Sequence, residues 1–133
     1  MSRLLEKSKF NIDAADVLIK KHLYAPSVHC SYYSCLQRIK SILPEYYDIS
    51  FNQIDLNVRA GTENEHGYLI RFISEQIHQN FRSEEYALFK RNIGDLKEFR
   101  IHSDYKDIEI TSDQSNKAYQ KALDINRFLN EKF

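Results

Sequence analysis

Apolar residues recur every three or four positions along most of this chain, which is the period of an amphipathic α-helix. A first helix is predicted over residues 2–23, and a second is predicted to run to about Leu43 and to end at Pro44. Residues 44–61 lack this period and predict a long irregular connection. The predicted inner faces are Ile12, Ala15, Ile19 and Leu23 in the first helix, and Val28, Tyr32, Cys35, Leu36, Ile39, Ile42 and Leu43 in the second.

Three more helices are predicted, and each opens at polar residues of the type that cap a helix. Thr62-Glu63-Asn64-Glu65 and Thr111-Ser112-Asp113-Gln114 fit the capping-box pattern, and Ser83 is the candidate N-cap between them. Their inner faces are Leu69, Phe72, Ile73 and Ile77, then Phe89, Ile93, Leu96 and Phe99, and finally Ala118, Ala122, Ile125 and Leu129. We therefore predict an all-α fold, a single domain over residues 1–133 that forms an antiparallel bundle of about five helices.

The composition narrows the range of functions without naming one. The 133 residues carry 19 basic and 19 acidic side chains, so the formal net charge is +0. A chain with this balance is not expected to bind nucleic acid through bulk charge alone. Binding through a local basic patch is the alternative. No apolar run approaches the roughly 18 residues of a membrane span, and no secretory signal is evident. The cytoplasm is therefore the expected compartment, with no membrane partner.

The sequence contains none of the common metal or phosphate-loop motifs. The 5 histidines include no HExxH pair, and Cys30 and Cys35 do not have the CxxC spacing. The 3 glycines are isolated from one another, so no glycine-rich phosphate loop is predicted. We expect no metal and no cofactor.

One charged residue of the fourth predicted helix falls on its apolar side. At about 100° per residue, Arg100 projects within about 20° of Phe89 and lies between Ile93 and Leu96. Burying an unpaired guanidinium would cost several kcal/mol, so Arg100 needs a negative partner. Asp104, one turn later, is the candidate for a structural pair. The alternative is a phosphate ligand that Arg100 meets in a cleft.

The opposite side of the same helix is polar. A stripe of this kind is usually a solvated surface, and here the alternatives are an oligomer interface or a composite site. The stripe consists of Arg91, Asp95, Glu98 and His102.

The segment from Leu96 to Tyr105 resembles the late-helix signature of HEPN domains (higher eukaryotes and prokaryotes nucleotide-binding). In that signature an Arg is followed, after two intervening residues, by a small residue, an Asp and a Tyr, which correspond here to Arg100, Ser103, Asp104 and Tyr105. The stretches 24–28 and 30–34 are similar to the family's small-residue and paired-tyrosine region. The resemblance spans nearly the whole chain.

This resemblance implies a helical bundle that is often dimeric. Many HEPN proteins are RNA-cleaving toxins or defence effectors paired with a nucleotidyltransferase-type antitoxin, and others are non-catalytic binding modules. The resemblance also implies that Tyr105 is a target for modification by such a partner. In the nucleases, an Arg, usually followed by a polar residue, precedes a His by four to six intervening residues.

This chain departs from the nuclease pattern. Arg91-Asn92 matches its start, but Leu96, Lys97 and Glu98 occupy the positions where the His is required. After Arg100 the corresponding positions hold Tyr105, Lys106 and Asp107. His102 follows Arg100 by two residues, about 200° around a helix, so the two cannot share a face.

Three functional hypotheses remain open. The first is a dimeric HEPN-like module that binds a nucleotide, RNA or a protein partner, as part of a toxin–antitoxin or defence pair. The second is a metal-independent ribonuclease toxin that uses Arg100 with Tyr105 or with His102 of a partner chain. The third is a purely structural dimer subunit. Arg100 and Asp104 are the central predicted site residues, and the additional ones are Arg91, Asn92, His102 and Tyr105.

Overall fold

A computed structural model describes residues 3–133, which form six α-helices and no β-strand. The helices are α1 (Arg3–Lys20), α2 (Tyr24–Tyr47), α3 (Phe51–Ala60), α4 (Glu65–Asn80), α5 (Ser83–Tyr105) and α6 (Ser112–Lys132). The predicted all-α class is confirmed, whereas the predicted count of about five helices is wrong by one. Within residues 3–133, none of the helices has the length and apolar character that crossing a bilayer requires.

Helix α2 lies at the centre of the bundle and packs against α1, α4, α5 and α6. Its predicted apolar stripe is confirmed, because each of the seven predicted positions is at most 5% exposed. The predicted inner faces of α4, α5 and α6 also enter the core, with Ile73, Leu96 and Leu129 fully buried. Burial of these faces removes apolar surface from water, which is the main force that holds such a bundle together.

The sixth helix comes from the segment that was predicted to be irregular. Helix α2 continues through Pro44 to Tyr47, since a proline in the last turns of a helix removes only one backbone hydrogen bond. Asp48 then adopts a left-handed φ of 57°, and the N–H of Ile49 donates to the carbonyl of Leu43 at 3.0 Å. This arrangement closes α2.

Helix α3 begins directly after that turn. Ser50 is its N-cap, and its hydroxyl accepts a hydrogen bond from the N–H of Gln53 at 3.1 Å. Ile54 is fully buried against the core. Val58 also packs against the core, and Asn57 donates to the Tyr68 hydroxyl at 2.9 Å, so the serine cap and these tertiary contacts together order the short helix.

Two helix starts differ from the prediction and one agrees with it. The predicted capping box at the start of α6 is confirmed. The Thr111 hydroxyl accepts a hydrogen bond from the N–H of Gln114 at 3.1 Å, and the N–H of Thr111 donates to Gln114 Oε1 at 2.9 Å. The N-cap of α4 is Asn64 rather than Thr62. Ser83 is the first residue of α5 rather than its cap.

The first helix ends earlier than predicted. α1 stops at Lys20, and His22 takes a left-handed φ of 62° that turns the chain into α2. The N–H of Leu23 donates to the carbonyl of Leu18 at 2.8 Å, which closes the helix end. Leu23 is therefore about half exposed and does not join the core as predicted.

Candidate functional site

Helix α5 carries Arg100 into its contact with α2. The Arg100 side chain is only 12% exposed, in agreement with its position on the apolar side of the helix. Its Nη2 donates to the hydroxyl of Tyr33 at 3.2 Å and to the hydroxyl of Tyr105 at 3.1 Å. The guanidinium is thus fixed between two helices by neutral acceptors.

Three aromatic rings surround this guanidinium. Its central carbon lies 5.4 Å from the ring centroid of Tyr32, 5.7 Å from that of Tyr33 and 4.9 Å from that of Tyr105. Each ring presents a negative face or hydroxyl to the cation, and such contacts stabilise a charge that has lost its water. Tyr32 is fully buried, whereas Tyr105 is 68% exposed. The cage is therefore closed on one side and accessible on the other.

Asp104 supplies the negative charge next to Arg100. Its Oδ2 lies 3.0 Å from Arg100 Nε, which is the distance of an ion pair. The Nε atom is buried and its N–H forms no well-directed hydrogen bond, so the attraction to Asp104 is mainly Coulombic. The same carboxylate oxygen accepts a hydrogen bond from His29 Nδ1 at 2.9 Å. Asp104 therefore interacts with both Arg100 and His29 through the same oxygen.

His29 comes from α2 and lies at the accessible edge of the site. Its side chain is 46% exposed, and its ring stacks on Tyr33 with centroids 4.5 Å apart. Because Nδ1 is engaged by Asp104, Nε2 is the ring nitrogen left for another partner. Within residues 3–133, no hydrogen bond joins Nε2 to another group.

His66 comes from α4 and lies on the buried side. Its Nδ1 is 3.3 Å from the hydroxyl of Tyr32, within hydrogen-bond distance. Burial lowers the pKa of His66, and the positive charges of Arg100 and Lys97 lower it further. Burial raises the pKa of Tyr32 to about 12. Both groups therefore stay neutral beside the guanidinium at physiological pH.

The guanidinium itself stays charged. Burial alone lowers the pKa of Arg100, but Tyr33, Tyr105 and Asp104 together raise it above its usual value. Seven residues make up what we call the Arg100 cluster: His29, Tyr32, Tyr33, His66, Arg100, Asp104 and Tyr105.

The other predicted residues of α5 are not brought to this cluster. Arg91 is exposed and forms no ion pair within residues 3–133, and Asn92 is buried beside α6. His102 lies two positions after Arg100 and therefore about 200° around the helix. Within one chain, His102 and Arg100 accordingly do not share a site. His102 lines a separate surface groove with Asp95, Glu98, Phe99 and Gln114.

Residues 3–133 contain no group of three or more His, Cys, Asp or Glu side chains that could hold a metal ion. Cys30 and Cys35 are free thiols, and Cys35 is fully buried.

Sequence reasoning found Arg100, Asp104 and Tyr105, did not single out His29, and assigned His66, near a helix start, to local capping or packing. His29 and Tyr33 are four residues apart in α2, so they share a helical face beside the apolar stripe. That spacing was a usable signal that both side chains point towards a neighbouring helix. The position of His66 near a helix start resembles a family feature, but its contact with Tyr32 depends on how α4 packs on α2.

Comparison with known proteins gave no match: no family model, no curated protein and no solved structure is similar to this chain.

Proposed function

We propose that this chain is a HEPN-like module that binds the phosphate of a nucleotide or of RNA at the Arg100 cluster. The observation that carries the proposal is the state of Arg100: a charged guanidinium, 12% exposed, whose hydrogen bonds go to the neutral hydroxyls of Tyr33 and Tyr105. A guanidinium in this state gains more from an oxyanion than a solvated one, because its surroundings screen the attraction less.

The charges around the guanidinium leave room for an anion. Asp104 balances one positive charge and accepts a hydrogen bond from His29 as well. Lys97 lies close enough to lower the pKa of His66, and it forms no ion pair within the described chain. Glu65 also lies near His66 but pairs with Lys40, so the three cations Arg100, Lys97 and Lys40 outnumber the two carboxylates Asp104 and Glu65 by one. A phosphate group would therefore enter a weakly positive site.

Tyr105 supplies the second element of nucleotide recognition. Its ring is 68% exposed and lies 4.9 Å from the guanidinium carbon. Aromatic rings of this kind stack on bases regardless of sequence, and each stack contributes about 1–3 kcal/mol. A base on Tyr105 would bring its phosphate within reach of Arg100.

Binding of a fluorescent single-stranded RNA, with adenosine monophosphate as competitor, tests this proposal. We expect Arg100→Gln to weaken RNA binding roughly tenfold or more, because a charge-assisted bond to phosphate is lost. Arg91→Gln is the matched control, since Arg91 is an exposed arginine of the same helix. If adenosine monophosphate competes with the RNA, the site binds a nucleotide. If RNA binds and adenosine monophosphate does not compete, the site binds a polynucleotide. Equal binding by wild type and Arg100→Gln would leave Arg100 a structural residue and overturn the proposal.

Metal-independent RNA cleavage is a second candidate, and His29 is the observation that favours it. The side chain combines an accessible imidazole with an orienting carboxylate, which is how a general base is commonly held. In this scheme Nε2 takes the proton of the 2′-hydroxyl, O2′ forms a bond to phosphorus, and the bond to O5′ breaks. The Tyr105 hydroxyl gives its proton to the leaving O5′, and the proton held by His29 then returns through water to the Tyr105 phenolate. Arg100 would balance the charge of the phosphorane.

Cleavage of single-stranded RNA in EDTA separates the two histidines. If His29 is the base, His29→Ala abolishes cleavage and His102→Ala leaves it unchanged. The reverse result would assign the role to His102 of a partner chain. If wild-type protein leaves all RNAs intact, the ribonuclease candidate is dropped and the binding proposal stands alone.

We also propose that the chain forms a homodimer, and that a nucleotidyltransferase-type partner modifies Tyr105. The accessible ring of Tyr105 suits such a modification.

The dimer contact is proposed on α1. Phe10 and Val17 are seven positions apart on one face of this helix and are 62% and 50% exposed, which suits such a contact. Light scattering tests the dimer. Mass spectrometry after co-expression with a small nucleotidyltransferase tests the modification, and an unmodified Tyr105 would contradict it.

A further inference from the structure

A second site lies away from the Arg100 cluster, where α1, α2 and α6 meet. They enclose a groove of ≈ 450 Å³ that shares no residue with that cluster. The groove has an apolar wall and a basic part. The wall consists of Leu5, Ile12 and Leu123, and the basic part includes Lys9 and Arg38. The volume falls within the range of small-molecule sites, about 300–1,000 Å³.

Arg38 is a buried cation that forms no ion pair within residues 3–133, although the charge of Glu45 is near enough to raise the pKa of Arg38. The residue is 7% exposed, more buried than any other charged residue of the described chain. Its Nε donates to Asn130 Oδ1 at 2.7 Å and its Nη1 donates to Ser41 Oγ at 3.1 Å. Both acceptors are neutral, and the Nη2 group donates to nothing within residues 3–133. A guanidinium buried in this way normally faces a carboxylate or phosphate, because desolvating the charge alone costs several kcal/mol.

The charges along the groove reinforce that of Arg38. Lys9 and Arg127 also line it, and Glu131 is the one acidic residue of the lining. Arg127 pairs with Asp124 at 3.3 Å, outside the groove lining. Lys9 forms no ion pair within residues 3–133, so Arg38 and Lys9 outnumber Glu131 by one charge within the groove lining, and Glu45, outside the lining, offsets part of that charge.

We propose that this groove binds a small amphipathic carboxylate. The carboxylate accepts from the Nη2 group of Arg38, because Nε and Nη1 already donate to Asn130 and Ser41. The apolar part of the ligand lies against Leu5, Ile12 and Leu123. This site is separate from the phosphate site, so either can exist without the other.

Titration with octanoate, followed by NMR of the backbone and side-chain N–H groups, tests the proposal. Octanol is the matched probe, since it has the same chain length without the charge. We expect octanoate to bind saturably, to shift the signals of Arg38 Nε–H and Asn130, and to bind roughly tenfold or more tightly than octanol. Absence of saturable octanoate binding, or equal binding of octanol, would overturn the proposal.

Two variants locate the site by different means. Arg38→Gln removes the positive charge. Leu123→Trp fills the groove with a larger side chain and leaves Arg38 unsubstituted. Each should reduce octanoate affinity roughly tenfold or more. Leu88→Trp, an exposed leucine on α5, is the control and should bind as wild type does. Should Arg38→Gln fail to fold, Leu123→Trp decides alone, and undiminished binding by that variant would overturn the proposal.

Discussion

The carboxylate of Asp104 accepts a hydrogen bond from His29 Nδ1 at 2.9 Å, although the two residues are 75 positions apart in the chain. The contact joins the C-terminal end of α5 to the first half of α2. Asp104 also balances Arg100 through the same oxygen. One carboxylate therefore fixes the position of an accessible imidazole relative to a caged guanidinium.

Removing the guanidinium should destabilise the fold moderately. Arg100→Ala leaves the cage of tyrosine rings empty and deprives Asp104 of one cation, but Asp104 keeps His29 and part of its water. We expect a loss of about 1–3 kcal/mol in the free energy of unfolding, less than for a fully buried pair. Urea denaturation measures it. Arg91→Ala, the exposed control, should change stability by no more than about 0.5 kcal/mol. Equal effects of the two substitutions would contradict the buried placement of Arg100.

His66 should make the fold less stable in mild acid. Burial, Arg100 and Lys97 lower its pKa below the ordinary value of 6.5, so the unfolded chain takes up a proton at a higher pH than the folded chain. The stabilisation is complete above 6.5 and is lost as the pH falls through that value towards the lower pKa of the folded state. Unfolding of wild type and His66→Gln between about pH 7.5 and about pH 5.5 measures this. The variant should lose less stability on acidification, and an unchanged pH dependence would contradict the prediction.

The two thiols should differ in reactivity. Burial raises the pKa of Cys35 to about 12, and that residue is fully buried, whereas Cys30 is half-buried with a pKa that burial also raises. The thiolate is the reactive form, so a thiol reagent at about pH 8 should modify Cys30 first and leave Cys35 protected. In denaturant both should react at similar rates. Fast modification of Cys35 in the native protein would show that α2 is not packed as described.

Ser50 should contribute to stability as the cap of α3. Ser50→Ala removes the acceptor for the N–H of Gln53 and should cost about 1 kcal/mol. Ser83→Ala is the matched control, because Ser83 lies inside α5 and does not cap it. Denaturation of both variants compares them, and a larger loss for Ser83→Ala would reverse the assignment of the caps.

The sequence pattern predicted the parts of the fold that depend on helical period. Ile39, Ile73 and Leu129 were placed in the core because their spacing puts them on one face of a helix. α3 was missed, since Pro44 and the polar residues after it suggest a break. Instead, a new helix begins after Ser50, and the burial of Ile54 in the core helps to explain why it forms.

The same limit applies to the site. The inward position of Arg100 and its spacing to Asp104 follow from the geometry of a single helix, so they were predictable. The contacts with His29 and His66 cross between helices. They depend on the angles at which α2 and α4 pack against α5, which no local spacing encodes.

NMR of the arginine Nε–H groups tests phosphate binding at Arg100 most directly. This group is buried next to Asp104, whose Oδ2 lies 3.0 Å away, so a phosphate that binds the guanidinium would change the surroundings of this N–H. Its signal is identified by its loss in Arg100→Lys. On titration with adenosine monophosphate or single-stranded RNA, we expect a saturable shift of the Arg100 signal and little change in that of Arg91. An Arg100 signal that stays fixed at saturating ligand would contradict the account.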